Sequence, residues 1–356
     1  MIVHQLLSGA GPVDAVTGQA RAYRRLFGEW GWGGEDRAAY LAPGLDGAIR
    51  ALRGFRAAPG DVLLFHYSAY APKLRALLDA PNRKLLVSHN VTPGRYLWDY
   101  EAAVAIHCAV GRAQLPEFAR RVDLAAGVSE YNAAELRDAG ARRTAVIPIL
   151  LDPARLGPAA PPERPPGPPT VLCVGRLTPH KRHDDVLRAF ALYRRHRAPD
   201  AQLVLVGEPL NLRYERALRA LADRVAPGAV RLDRGLSDAQ LGDRFRTASV
   251  LLSLSEHEGF CIPLLEAFAL GVPVIARPAG GIPEVAGDAA LLVSDGDPAV
   301  VAELLHLAVT DADLRRQLRA RGAARARAYD FPEVARRLRD AVEGACASAS
   351  RSRRSR

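Results

Sequence analysis

Short hydrophobic runs alternate with longer amphipathic stretches along most of the chain, and this pattern predicts strands separated by helices. In the first part, helices are predicted at residues 18–30 and 45–56. The strands predicted there are the apolar runs at residues 2–7, 61–65, 84–88, 123–128 and 144–149. Because strands joined through helices form parallel sheets that are covered on both faces, the pattern indicates an α/β fold.

A proline-rich segment, GPAAPPERPPGPP at residues 157–169, interrupts this alternation. So many prolines exclude a helix or a central strand and favour an extended linker. Beyond it, consecutive helices are predicted over residues 299–345. The strands predicted after the linker are residues 170–175, 202–207, 229–232, 249–254, 273–276 and 290–293.

The chain of 356 residues therefore suits two doubly wound α/β domains. Ligands of such sheets bind beyond the carboxyl ends of the strands, so we expect a cleft between two facing domains. The predicted organisation is a first domain at residues 1–156, a linker at 157–169, a second domain at 170–330, a C-terminal helix at 331–347 and a disordered basic tail at 348–356.

Charge and composition limit the kinds of binding partner and the cellular location that are expected. The formal net charge is +10, and four arginines lie in the last six residues, RSRRSR. This excess favours an acidic partner such as a phosphorylated substrate, an anionic membrane surface or nucleic acid. The sequence has no apolar run of about 18 residues, and its start lacks a basic leader, so we expect a cytoplasmic protein. The four cysteines form no CxxC pair, which argues against a zinc ribbon.

The segment at residues 255–276 has the clearest chemistry. A buried strand is predicted to end at residue 254, and Pro263 suits the first position of the following helix. Gly259 permits close approach of the backbone to a ligand, and the N–H groups of the next residues form an anion site. Glu258 precedes this helix and Glu266 is expected in its first turn. The alternative is that Glu258 is solvated and Glu266 only complements the helix dipole.

A second segment, residues 174–185, contains two cations. Arg176 follows a predicted strand at its carboxyl end, and Lys181 lies just before the next predicted helix. A planar guanidinium and a flexible ammonium on one rim could neutralise a diphosphate. The alternative is that both are ordinary surface charges.

With these segments, VGRLTPHK (residues 174–181) and EGFCIPLLEAFALGVPVIA (residues 258–276), the chain resembles the retaining, nucleotide-sugar-dependent glycosyltransferases of family 4, among the bacterial group 1 glycosyl transferases. The loop AGGIPEV (residues 279–285) and, in the first domain, SHNVTP (residues 88–93) extend the resemblance. It implies the GT-B fold, in which two Rossmann-like domains face each other across a cleft.

The resemblance also implies a role for each matching residue. Arg176 and Lys181 would hold the donor diphosphate, and Glu266 would bind the ribose hydroxyls. Glu258 would lie near the transferred sugar, and His89 would contact that sugar near the reacting carbon. Backbone donors would come from Gly259, Phe260 and Cys261. Among the other histidines, His180 and His183 are interpreted as surface residues and His4 as a structural one.

The predicted function is hexose transfer, with retention, from a nucleoside-diphosphate sugar to a glycan, lipid-linked or small-molecule acceptor in bacterial polysaccharide or cell-envelope synthesis. Protein cations can stabilise the leaving diphosphate, so no metal and no cofactor are expected. One alternative is a nucleotide-sugar epimerase of the same architecture, against which the Glu-x7-Glu spacing argues. Another is a basic protein that binds a membrane or nucleic acid through its tail. The sequence has no zinc finger or RNP motif, which argues against nucleic acid.

Overall fold

The structure is a computed structural model that describes residues 1–12, 14–45, 47–159, 167–294 and 296–352. It divides into two compact units. The first comprises Met1–Arg95, Ala103–Leu150 and the C-terminal helix, and the second comprises Tyr96–Ala102 and Leu151–Asp330. Among the described residues, no helix combines the length and the apolar character needed to cross a bilayer.

The first unit contains a seven-stranded parallel sheet. Its strands are β1 (Val3–Leu7), β2 (Asp36–Ala38), β3 (Ile49–Ala51), β4 (Val62–Tyr67), β5 (Arg83–Ser88), β6 (Leu124–Gly127) and β7 (Thr144–Val146), in the order β3-β2-β1-β4-β5-β6-β7. Its helices are α1 (Ala15–Glu29), α2 (Pro72–Arg75), α3 (Ala102–Arg121), α4 (Glu130–Asp138) and the C-terminal α12 (Phe331–Ser352). The central strands β1 and β4 are buried throughout, as expected when helices cover both faces.

The helix predicted at residues 45–56 is wrong. The segment contains the short edge strand β3, which pairs with β2, a strand that the sequence analysis missed. Gly47 and Gly54 have φ angles of 80° and 77°, in the left-handed region that a continuous helix cannot contain. Only Ile49 of the strand is buried, so β3 has too little apolar character to be read as a strand.

The second unit contains a six-stranded parallel sheet. Its strands are β8 (Thr170–Val174), β9 (Gln202–Val206), β10 (Val230–Asp233), β11 (Val250–Ser253), β12 (Val274–Ala276) and β13 (Leu291–Leu292), in the order β10-β9-β8-β11-β12-β13. Its helices are α5 (His183–His196), α6 (Leu212–Val225), α7 (Asp238–Thr247), α8 (Ile262–Leu270), α9 (Ile282–Ala286), α10 (Pro298–Thr310) and α11 (Ala312–Arg327). All six strands predicted after the linker are confirmed.

Each sheet has one place where the strand order reverses. In the first unit β2 and β4 lie on opposite sides of β1, and in the second unit β9 and β11 lie on opposite sides of β8. At such a point the loops that follow the two adjacent strands diverge to opposite faces of the sheet. The crevice between them is where open α/β sheets bind ligands.

The boundaries of the units differ from the predicted domains in two places. Residues 96–102 belong to the second unit, where Tyr100 packs edge-to-face on Tyr214 and Asn211 Nδ2 donates a 2.9 Å hydrogen bond to the Tyr100 carbonyl. Helix α12 belongs to the first unit and contacts β5. Composition marks a linker along the chain, but it does not show on which unit a later helix packs.

The C-terminal helix also continues into the predicted disordered tail. Helix α12 ends at Ser352, so residues 348–352 are helical rather than disordered. Alanine, serine and arginine are all compatible with a helix, and this segment extends a helix that is already anchored. Residues 353–356 of the predicted tail, and residues 160–166 of the predicted linker, lie outside the described residues.

Candidate active site

Two loops of the second unit meet where β8 and β11 end, at the reversal of strand order. One loop follows β8 and contains Arg176 and Lys181, and the other follows β11 and contains Glu258. They are joined by a 2.8 Å hydrogen bond from the Glu256 amide to the His180 carbonyl. The guanidinium of Arg182 adds a 2.9 Å ion pair with Glu256. The two segments singled out in the sequence therefore form one structural unit.

A third loop fixes the backbone of Glu258. The amide of Gly281 donates a 2.9 Å hydrogen bond to the Glu258 carbonyl. Gly280 has a φ angle of 58°, and a Cβ there would lie 2.0 Å from the Glu258 carbonyl oxygen. This approach permits no side chain at position 280, because the atom it would meet is backbone. The AGGIPEV loop therefore holds the Glu258 backbone in place.

Lys181 and Glu258 form an ion pair. Lys181 Nζ lies 2.5 Å from Glu258 Oε1, and the exposed fractions of the two side chains are 19% and 9%. Burial disfavours both charges, but the mutual attraction and the hydrogen bond outweigh it. The pKa of Lys181 is therefore raised and the pKa of Glu258 lowered. Both groups remain charged, and neither is the solvated residue of the alternative interpretation.

Arg176 differs from Lys181 in its surroundings. It follows Gly175 directly at the carboxyl end of β8, and its side chain is exposed. The Thr178 hydroxyl donates a hydrogen bond to the Arg176 backbone carbonyl. Within the described part of the chain, the Arg176 guanidinium forms no ion pair. The rim of the site thus carries one cation engaged with a carboxylate and one that faces solvent.

Helix α8 begins beside the ion pair. Cys261 is its N-cap, with a φ angle of 72°, and Pro263 is its second residue rather than its first. Phe260 and Cys261 are buried, and Phe260 packs edge-to-face against Tyr329. The N-cap side chain makes no capping hydrogen bond. Pro263 has no N–H, and the Leu264 amide donates to the Cys261 carbonyl at 3.1 Å. The Ile262 amide is therefore the first-turn donor at the helix start. Such a terminus attracts anions.

Glu266 lies deeper than predicted. It is the fifth residue of α8, beyond the first turn, and it is 2% exposed. The guanidinium of Arg155 pairs with its carboxylate and also with Asp238 at the start of α7. Burial raises the pKa of Glu266 to about 7, although the Arg155 charge counteracts part of this rise. The ribose contact that the resemblance implies would share this carboxylate with Arg155.

Arg155 and Asp238 are two residues of the site that sequence reasoning missed. Arg155 lies in a short 3-10 turn, Pro153–Leu156, and Asp238 is the first residue of α7. Arg155 is 111 positions from Glu266 and 83 positions from Asp238 in the sequence. Pairing over such separations leaves no local periodicity, and no motif around either residue signals it.

Two histidines beside Lys181 are buried, which corrects their interpretation as surface residues. His180 is 8% exposed and His183 is 1% exposed. Burial and the nearby Lys181 charge lower the pKa of His180 to about 3 and that of His183 to about 4. The ring of Tyr96 lies 6.1 Å from the His180 ring. The charged residues around both positions in the sequence conceal their burial.

His89 belongs to the first unit and follows β5 directly. It is half-buried, and its Nε2 lies 2.9 Å from Nδ1 of the buried His66. Burial lowers the pKa of His89 to about 4. The next residue, Asn90, has a φ angle of 72°, one of three non-glycine residues with positive φ among the described residues. His4 is buried and hydrogen-bonded to Asp61, as expected of a structural histidine.

Comparison with known proteins finds a family match over the part of the chain that contains these loops. Residues 159–325 match the family model described as "Glycosyl transferases group 1". The D-inositol 3-phosphate glycosyltransferase of Streptomyces scabiei (strain 87.22) is 34% identical over 169 residues, which are 45% of this chain and 38% of the relative. The GDP-mannose-dependent monoacylated alpha-(1-6)-phosphatidylinositol monomannoside mannosyltransferase of Corynebacterium glutamicum is 31% identical over 231 residues, 60% of this chain and 59% of the relative. The match spans less than two thirds of either relative.

Among solved structures, the sucrose-phosphate synthase (tll1590) from Thermosynechococcus elongatus aligns with a TM-score of 0.77 at 17% identity, over 98% of this chain and 99% of its own. The fold is therefore GT-B, built from two Rossmann-like units that each contain a parallel sheet. The match to the group 1 glycosyl transferases covers residues 159–325, which is less than half of the chain. The fold that the resemblance implies is confirmed, and the family match supports the resemblance over these residues.

Proposed function

We propose that this protein is a retaining glycosyltransferase that moves a hexose from a nucleoside-diphosphate sugar to a hydroxyl group of its acceptor. The observation that carries the proposal is the Lys181–Glu258 pair, in which Glu258 is buried and Lys181 partly buried, with Arg176 on the same loop, where β8 and β11 end. This arrangement lies inside the region that matches the group 1 glycosyl transferases.

The proposed reaction breaks the bond between the anomeric carbon and the diphosphate and forms a glycosidic bond to the acceptor oxygen. Positive charge grows on the sugar ring and negative charge on the leaving diphosphate. Arg176 and Lys181 stabilise the leaving charge, and Glu258 keeps Lys181 charged and oriented. The acceptor proton passes to the departing diphosphate. The acceptor attacks from the face that the diphosphate leaves, so the anomeric configuration is retained.

The nucleotide is proposed to lie along α8. Its phosphates would face the start of the helix, where Gly259, Phe260 and Cys261 supply backbone donors. Glu266 would accept hydrogen bonds from the ribose hydroxyls when it is ionised. Arg155 favours that ionised state, because its guanidinium counteracts the effect of burial.

We further propose that the protein cations make a metal unnecessary, and that the acceptor is a glycan, lipid-linked or small molecule on the cytoplasmic side of a bacterial membrane. The two relatives are named for an inositol phosphate and a phosphatidylinositol mannoside. Both names combine a polyol with a phosphate, so acceptors of this kind come first in a screen. The basic excess of the chain suits an anionic acceptor or membrane.

The test is incubation of the purified protein with UDP-glucose and GDP-mannose, with and without EDTA, followed by quantification of released nucleoside diphosphate. We expect slow hydrolysis of at least one donor and faster release with inositol phosphate acceptors. Arg176→Ala should abolish most of the release. The matched control is Arg224→Ala, which removes another exposed arginine of the second unit, near the end of α6. Conversion of the sugar without release of nucleotide would instead identify an epimerase.

A further inference from the structure

A row of hydrogen-bonded polar side chains crosses the first unit beneath α1. It begins at Arg24 of α1 and runs through Asp36 of β2, Gln5 of β1 and His66 of β4 to His89. These strands are neighbours in the sheet, in the order β2-β1-β4-β5. Gln5, Asp36 and His66 are each less than 9% exposed, so water does not compete for their hydrogen bonds.

The orientation of the Gln5 amide is dictated by its partners. Gln5 Nε2 lies 2.9 Å from the Ala20 carbonyl oxygen and 2.9 Å from Asp36 Oδ1. A backbone carbonyl accepts only, and so does a carboxylate that already receives Nε of Arg24 at 3.0 Å. The amide group must therefore place its nitrogen on this side. Its oxygen, Oε1, then faces His66 Nε2 at 2.8 Å.

This orientation determines where the protons lie on both histidines. Gln5 Oε1 can only accept, so His66 Nε2 carries a hydrogen and donates it. A neutral imidazole has one N–H, so His66 Nδ1 is left as an acceptor. It lies 2.9 Å from His89 Nε2, which must therefore carry the hydrogen of His89. Burial lowers the pKa of both rings, which supports the neutral forms.

We propose that this row fixes His89 in the tautomer with an unprotonated Nδ1, and that Nδ1 accepts a hydrogen bond from a sugar hydroxyl of the substrate. Among the described residues, Nδ1 of His89 has no hydrogen-bond partner, and the residue is half-buried at the carboxyl end of β5. His66 and Gln5 are positioning residues. His89 then acts as an acceptor and does not protonate the leaving group at neutral pH.

The identity of the hydroxyl as a sugar group rests on the proposed function, whereas the tautomer does not. The first test is therefore nitrogen NMR on protein labelled with ¹⁵N-histidine, without any ligand. We expect long-range ring correlations that place the proton of His66 and of His89 on Nε2. A proton on Nδ1 of His89, or rapid averaging between the two nitrogens, would overturn the proposal whatever the enzyme's activity.

Gln5→Leu keeps a side chain of similar size but removes Oε1, the acceptor that holds the proton of His66 on Nε2. The His89 signal should then become a mixture of tautomers. The control is Asp61→Asn, which perturbs the hydrogen bond between Asp61 and His4. His4 precedes Gln5 on β1, and its side chain points to the opposite face of the sheet. It should leave the His89 signal unchanged. An unaltered His89 signal in Gln5→Leu would show that the row does not set the tautomer.

The second test separates positioning from packing. His66→Asn and His66→Leu have nearly the same size, but only asparagine retains an acceptor near the position of Nδ1. In hydrolysis of UDP-glucose or GDP-mannose, we expect roughly a tenfold lower kcat in His66→Leu, the equivalent of one lost hydrogen bond, and recovery of most of it in His66→Asn. Equal losses would reject the positioning role.

The donor that is hydrolysed should also shift the ¹⁵N resonance of His89 Nδ1 when added at saturation, because an accepted hydrogen bond shields that nitrogen. An unchanged resonance would overturn the acceptor role of His89. If neither sugar is hydrolysed but both histidines show the Nε2–H form, the proposed function fails while the assigned tautomer stands.

Discussion

Two buried glutamates of the second unit, Glu258 and Glu266, have pKa shifts of opposite direction because their cations are placed differently. Lys181 serves Glu258 directly, and the pair holds the pKa of that carboxyl below its usual range. Arg155 divides its guanidinium between Glu266 and Asp238, so burial prevails and the pKa of Glu266 rises to about 7. Glu258 is therefore ionised near neutral pH, whereas Glu266 is partly protonated and partly ionised there.

The first prediction concerns donor affinity and pH. If ionised Glu266 accepts the ribose hydroxyls, affinity should rise as pH increases through about 7 and level off above it, because the proton must leave before the carboxylate can accept twice. Below pH 7 the affinity should fall by up to tenfold per pH unit. The charged groups that act on Glu266 are Arg155, which pairs with it, and Asp238, which shares the Arg155 guanidinium.

Calorimetric titration with UDP-glucose or GDP-mannose between pH 6 and pH 8.5 measures this, since their diphosphate diesters do not titrate there. The control is Glu266→Gln, which should bind more weakly and without a pH dependence. A wild-type affinity that is flat across this range would contradict the ribose role.

The second prediction concerns charge in the transition state. Arg176→Ala and Lys181→Ala should each lower kcat by about 10²-fold at saturating donor, because both groups stabilise charge that grows as the diphosphate leaves. Because they act on one diphosphate, the double variant should lose less than the product of the single losses. EDTA should leave the wild-type rate unchanged. A rate that EDTA abolishes and Mg²⁺ or Mn²⁺ restores would refute the proposed role of these cations.

The third prediction concerns stability. Lys181→Met leaves Glu258 buried without its partner, which costs roughly 3 kcal/mol of unfolding free energy. The exposed Arg176→Ala should change it by less than about 0.5 kcal/mol. Adding Glu258→Gln to Lys181→Met should restore much of the loss, because the unpaired charge is gone. Urea denaturation of the four proteins measures this, and equal destabilisation by the single and double variants would argue against a charge effect.

At the scale of elements, burial explains which predictions from the sequence succeeded. The inner strands β8, β9, β11 and β12 of the second sheet are mostly buried and appear in the sequence as hydrophobic runs, and the less buried edge strands β10 and β13 were predicted as well. The edge strand β3 buries one residue, and its pattern resembles an amphipathic helix. The site motifs were found because they lie on loops joined to such strands. Arg155, the buried His180 and the row from Arg24 to His89 depend on packing between distant segments, which no local pattern records.

The fourth prediction concerns the end of α12. The helix reaches Ser352, and arginines continue beyond it to residue 356. We expect this end to bind anionic membranes, with about 1 kcal/mol from each nearby cation. Removal of residues 348–356 should reduce sedimentation with phosphatidylserine vesicles and leave donor hydrolysis intact. Replacement of the same arginines by glutamine provides the control for length, and equal sedimentation of all three proteins would exclude a membrane role.

At the scale of the whole molecule, the chain enters the second unit twice and ends in the first. The helix α12 packs on the first unit through the apolar residues Val334, Leu338, Val342 and Ala345, each at most 1% exposed. The unit that begins the sequence is therefore completed by its last helix. A chain synthesised only to residue 330 lacks this face.

The fifth prediction follows from this connectivity. A protein truncated after Asp330 should expose the apolar surface under α12 and lose protection from hydrogen exchange in β5, the strand that α12 contacts. Strands β8 and β11 of the second unit should keep their protection. Equal loss of protection in both units would show that they unfold as one cooperative body, and unchanged protection in β5 would show that α12 contributes little to the first unit.

The pairing of Lys181 with Glu258 has a consequence for chemical labelling. The chain contains only three lysines, at positions 73, 84 and 181, among 49 basic residues. Lys73 is exposed, Lys84 is buried on β5, and the amine of Lys181 is held by a carboxylate. An amine-selective reagent should therefore modify the exposed Lys73, which serves as an internal standard. Its reaction with Lys181 should depend on whether the ion pair with Glu258 is intact. Because the chain has so few lysines, labelling of Lys181 can report whether a ligand occupies the candidate active site.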